Sequence, residues 1–221
     1  GLSLRGYKVG ILDADLHGPN VPLMLGLEGT KLNDLSKPYR VTENLQVTSL
    51  SFFLPSSEPI IWSGPQNMGA IMEILEGVEW GEIDFLIVDL PPGTGDETLT
   101  IAQNLGIGSK AIVVTTPQDV ALLDSRKSVK FATLVNQELI GVVENMSGFV
   151  CPECGKEINI FKKGGAEKMA KEMEADFLGS IPMEASIVEA GDTGKPYIST
   201  DSIASRKLDA IISRVIEKLE K

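Results

Sequence analysis

The chain has 221 residues, a hydrophobic fraction of 43% and a formal net charge of −11, with two cysteines and one histidine. That length and mixture support one substantial core and exclude a disordered chain, while the acidic balance argues against nonspecific binding to nucleic acid or anionic lipid. No apolar run approaches the roughly 20 residues of a transmembrane helix and no signal peptide is visible, which predicts a cytoplasmic protein without stable membrane association.

Residues Gly1-Leu-Ser-Leu-Arg-Gly6 read as the tail of a helix ended by a glycine cap, which suggests that further sequence lies upstream. Strand-length apolar runs then recur with helical segments between them, at 8–13, 45–50, 85–89, 110–115, 138–144 and 177–180. That alternation predicts an α/β fold with a mostly parallel sheet and helices on both faces. Helices are predicted from Pro65 to Leu75, from Asp119 towards Val135 and from Gly165 to Met173. At the C-terminus Leu208, Ile211, Ile212, Val215, Ile216 and Leu219 form one apolar stripe, which reads as core packing. No repeat and no second hydrophobic core stands out, so residues 1–221 read as a single domain with a cysteine loop at about 147–164.

Three strands deliver polar residues to their C-terminal ends, where open α/β sheets bind ligands. Phe85-Leu-Ile-Val-Asp89 reads as a buried strand that carries its aspartate into the loop Leu90-Pro-Pro-Gly-Thr-Gly-Asp96. Asp89 can hold Mg²⁺ through water, and the backbone of such a loop can face a terminal phosphate. The strand at 8–13 ends in Asp13 and, two residues on, Asp15; these acids could polarise a water or organise Mg²⁺, or simply cap the next turn. The strand at 138–144 delivers Asn145, whose amide suits an adenine edge, although a turn-forming asparagine is the plainer reading. Pro182, just past the strand at 177–180, is placed to line a base or ribose.

Cys151-Pro-Glu-Cys154-Gly155 lets two thiolates point at one metal, as in zinc ribbons and iron–sulfur sites. A tetrahedral thiolate site wants four sulfurs, these are the only two in the chain, and His17 lies far away in sequence. A site shared between two chains across a two-fold axis follows. A redox pair and a disulfide are the competing readings; the loop setting disfavours the first and a cytoplasmic location the second.

The chain resembles the Mrp-type iron–sulfur carrier ATPases, in the deviant P-loop class with MinD and ParA. The resemblance runs from Gly1 to about Pro196. It is carried by Asp13-Ala-Asp15 with Gly18-Pro19, Trp62-Ser-Gly-Pro65, Trp80-Gly81, Asp89 to Asp96, Thr116-Pro-Gln118, Glu144-Asn-Met-Ser147, Cys151 to Gly155 and Gly194-Lys-Pro196. It implies that Asp15 orients or activates the water attacking the γ-phosphate and that Asp13 supports Mg²⁺. It implies further that Asp89 holds a Mg²⁺-bound water, that Gly93 offers its N–H near the γ-phosphate, and that Asn145 reads adenine. Pro91, Pro182 and Met183 join the nucleotide-binding set. Cys151 and Cys154 would bridge a [4Fe–4S] cluster between two subunits for transfer to acceptor apoproteins, with zinc able to take the same sulfurs in aerobic preparations.

The glycine-rich phosphate loop of this class, with its two lysines, is expected just upstream of Gly1, on a strand central to the sheet. The leading expectation is therefore a homodimeric ATP/ADP-binding, Mg²⁺-dependent ATPase that carries a cluster. A metal-bridged binding protein with an incomplete nucleotide site is the alternative. A MinD-like membrane-associated ATPase is disfavoured by the mixed charge of the C-terminal helix.

Overall fold

The computed structural model describes residues 1–53, 64–106, 108–151 and 153–220; the motif residues Trp62, Ser63 and Pro152 lie outside them. The chain groups into two compact units, Gly1–Leu105 with Gly191–Lys195, and Gly106–Ala190 with Pro196–Lys221.

The first unit contains β1 (Val9–Asp13), α1 (Val21–Met24), β2 (Tyr39–Thr42), β3 (Leu45–Ser49), α2 (Gly64–Gly77), β4 (Phe85–Asp89) and α3 (Asp96–Asn104). Its sheet runs in the order β2-β3-β1-β4, parallel except for the β2–β3 pair. Leu12, Leu16, Leu50, Ile71, Ile74 and Ile101 form the core, so α2 and α3 cover one face of the sheet through their apolar stripes. Gly10 lets the Trp80 ring lie on β1: a Cβ there would fall 2.6 Å from the ring.

The second unit contains β5 (Lys110–Thr115), α4 (Asp119–Leu134), β6 (Glu138–Glu144), β7 (Phe149–Val150), β8 (Glu157–Ile158), α5 (Gly165–Glu172), β9 (Phe177–Ser180), all but the last two residues of α6 (Ala185–Asp192), and α7 (Ile203–Leu219). Strands β5-β6-β9 form a parallel sheet with β6 central, and β7-β8 is a short antiparallel hairpin. Helices cover both faces of β6. Val142 packs with Leu122, Val129, Ala166 and Met169 from α4 and α5, whereas Ile140 and Val143 pack with Leu178, Ala204 and Ile211. The run Leu139 to Val143 is apolar for that reason: a strand covered on both sides has no polar face. The C-terminal stripe is core packing, with Leu208, Ile211, Val215 and Leu219 all against this second cluster.

All six strands expected from the apolar runs are present. Among the described residues the buried apolar side chains fall into three clusters, since periodicity reports that a residue is buried and not what it is buried against. One expectation is corrected: β4, read as a buried strand, has one open side among the described residues. It pairs only with β1, and Leu86 and Ile87 are 38% and 44% exposed. Strand β5 has a similar open edge, with Val114 62% exposed.

Candidate functional site

In the first unit the parallel register sets Asp13 directly opposite Asp89, so two carboxylates emerge side by side at the C-terminal ends of β1 and β4. Asp13 is buried. Its Oδ1 accepts from the Asp15 N–H at 3.3 Å, and its Oδ2 accepts from the Val21 N–H and the Ser49 hydroxyl, each at 3.3 Å. Burial, outweighing these donors and aided by the Asp89 charge, pushes its carboxyl up to about 6. Asp89 meets solvent along one edge; partial burial, then the Asp15 carboxylate, raises it above the usual carboxylate range. Asp15 folds back on its own turn, its Oδ1 accepting from the N–H groups of His17 at 3.1 Å and Gly18 at 3.0 Å. The charge of Asp89 thus opposes that of Asp13, and the charge of Asp15 that of Asp89, at this end of the sheet.

After Asp89 the loop turns through Gly93, whose φ of 92° is a left-handed conformation suited to glycine. Asp96 and Glu97 then open α3, where carboxylates favour the positive end of the helix dipole. Pro91, Pro92, Asp96, Glu97 and Thr98 line a cavity of about 540 Å³ with Met68.

In the second unit, register places Thr115, Glu144 and Ser180 at matching strand ends. Asn145 follows β6; its N–H donates to the Thr115 carbonyl at 2.7 Å, and its Oδ1 accepts from the Met146 N–H at 2.9 Å. Part of its amide therefore serves the turn. Pro182 is buried, and Met183 donates its N–H to the Gly148 carbonyl at 2.8 Å. Strands β7 and β8 rise from Gly148 as a hairpin that carries the cysteines. Cys151 and Cys154 are free thiols, the first half-buried and the second exposed. The turn between them is closed by Gly155 N–H to the Cys151 carbonyl at 2.8 Å. Backbone N–H groups of Cys154 and Glu153, then the Cys154 side chain, lower the Cys151 thiol below its ordinary value. Donors aimed at a sulfur favour its thiolate form, the form that binds metal. Among the described residues no group of three or more His, Cys, Asp and Glu side chains could hold a metal ion, so this hairpin supplies a pair of thiols.

The sequence reading missed Glu144 as anything more than part of a motif. It is fully buried, and its carboxylate receives three hydrogen bonds. The available signal was an acid closing an otherwise apolar central strand, where an unpartnered charge is too costly to keep.

The model of the NUBPL iron-transfer P-loop NTPases, in the ParA group, matches residues 1–218. The chain belongs to this family. It is 46% identical over 225 residues to the iron-sulfur cluster carrier protein of Methanocaldococcus jannaschii, covering 99% of this chain and 77% of that protein. Among solved structures, a nucleotide-binding protein of Archaeoglobus fulgidus, in complex with ADP and with Co found, matches at 34% identity and a TM-score of 0.74. That match covers 87% of this chain and 76% of the other. The cell division ATPase MinD of Pyrococcus furiosus matches at 21% identity and a TM-score of 0.70 over 99% of this chain and 89% of its own, which shows a shared fold. Family membership accounts for the motif order, and the MinD-like α/β architecture agrees with the expected fold class.

Proposed function

We propose that this chain is an ATP-hydrolysing iron–sulfur carrier, in which the two units act as one nucleotide-binding domain and two protomers share the cargo. The observation that carries the reading is the hairpin bearing Cys151 and Cys154, two free thiols presented on a base built from the same strand end as Asn145. A two-thiol site is half of what a [4Fe–4S] cluster or a zinc ion takes, and a second copy supplies the other half. Transfer then runs to apoproteins with vacant thiol sites, in the cytoplasm.

In this reading Asp13 and Asp89 hold a hydrated Mg²⁺, and Asp15 orients the water that attacks the terminal phosphate. Gly93 turns its backbone N–H towards that phosphate; Pro91 shapes the same loop; and Asn145, Pro182 and Met183 contact the base. Bound Mg²⁺ supplies neutralisation of the charge that develops on the phosphate oxygens.

The test is Mg²⁺-dependent ATP hydrolysis by the protein, with Asp15→Ala as control, alongside anaerobic cluster reconstitution read by UV–visible and Mössbauer spectra. Hydrolysis lost in Asp15→Ala and a cluster lost in Cys151→Ala are expected. Cluster binding without any wild-type hydrolysis would leave a metal-bridged binding protein instead.

A further inference from the structure

The cysteine loop leaves and rejoins the second unit beside one buried side chain. Glu144, the last residue of β6, has no exposed surface. Its Oε1 accepts from the Ser147 hydroxyl at 2.5 Å and from the Gly164 N–H at 2.8 Å, while Oε2 accepts from the Ala166 N–H at 2.7 Å. Ser147 stands where the chain departs towards the hairpin, and Gly164 where it returns into α5. A single carboxylate therefore ties both ends of the loop to the end of the central strand.

The departing end has further backbone support, since Ser147 donates to the Ile181 carbonyl at 2.9 Å and Met183 to the Gly148 carbonyl at 2.8 Å. The returning end also packs closely, with Gly165 against Pro117 and Leu122 and Ala166 fully buried, whereas its Lys162–Asp119 ion pair is well exposed. Surface pairs of that kind contribute little. A buried carboxylate bonded to three donors is a far stiffer tie, because each donor left behind on its removal is stranded away from water.

We propose that Glu144 is the positioning residue of the cysteine pair: it clamps both ends of the loop and so sets the aim of the Cys151 and Cys154 sulfurs. The proposal rests on the reading of those cysteines as metal or cluster ligands. A dithiol whose geometry is fixed beforehand binds metal without the ordering cost that a loose loop must meet.

Two substitutions test it. Glu144→Gln keeps the shape but replaces one acceptor oxygen with an N–H₂ donor, which must then face Ala166 N–H or the Ser147–Gly164 pair. Ser147→Ala removes one arm of the clamp and leaves the other two. Each full-length variant is titrated anaerobically with Co²⁺, following the thiolate-to-cobalt charge-transfer band, with circular dichroism as a check on folding. Amide exchange of the Cys151–Gly155 and Gly164–Ala166 peptides is measured without metal.

The expected result is a Co²⁺ Kd weakened roughly tenfold or more in Glu144→Gln, less in Ser147→Ala, with faster exchange in both peptides. Folded variants with wild-type Kd and wild-type exchange would overturn the proposal. If Glu144→Gln does not fold, Ser147→Ala decides by the same two readouts. If wild type gives no thiolate band, the ligand reading fails, and the exchange data still decide whether Glu144 holds the loop.

Discussion

Asp13 offers the sharpest physical test of the first unit, because its charge is held where burial opposes it. Burial pushes its carboxyl up to about 6 in the folded protein from an ordinary value of 3.8, a rise that corresponds to about 3 kcal/mol. The sign is fixed by proton linkage. A folded-state value above the unfolded one means that the native protein binds the proton more tightly. In metal-free buffer Asp13 therefore destabilises the fold above pH 6, and that penalty disappears as the pH falls from 6 to below 3.8. Asp13→Asn removes the charge and keeps the shape. Its amide must face the Asp15 and Val21 N–H groups with only one acceptor, a loss of about 1 kcal/mol. The variant should be more stable than wild type by about 2 kcal/mol at pH 7.5. The advantage should shrink by about 3 kcal/mol, and so reverse, on going below pH 3.8. Urea denaturation of both proteins across pH 3.5–8, with EDTA present, measures this directly. A stability difference that does not vary with pH would refute the reasoning, because residue 13 is the only group that differs.

Two further predictions concern packing. Gly10→Ala places a methyl 2.6 Å from the Trp80 ring, so it should cost roughly 1–3 kcal/mol in urea unfolding and change the tryptophan fluorescence. An unchanged midpoint would show that the ring moves freely. Met169→Ala empties a fully buried position between α4, α5 and β6, with an expected loss of roughly 2–5 kcal/mol. A loss under about 1 kcal/mol would mean that the neighbours collapse into the space.

Much of the architecture is legible without coordinates. The strand at 138–144 announces itself because a strand covered on both faces is apolar throughout, and α7 because its stripe repeats at helical spacing. The acids at 13, 15 and 89 stand out by position at the ends of apolar strands, and in the structure Asp13 and Asp15 accept the N–H groups of the turns that follow. Less visible were β2 and the β7–β8 hairpin, whose short strands offer too few residues for a period to emerge. Asp119 was expected to cap α4, yet Gln118 holds the cap position and Asp119 lies in the first turn, the limit of what local chemistry specifies at helix ends.

What the sequence determined by itself is therefore local and additive: which segments are strands, which carry carboxylates at their ends, and that two thiols sit in one tight turn. Tertiary structure alone decided that Asp13 faces Asp89 and that Glu144 ties Ser147 to Gly164. The reason is physical. Periodicity and turn chemistry act over a few residues, whereas strand order and a buried carboxylate's donors depend on segments brought together only by the fold.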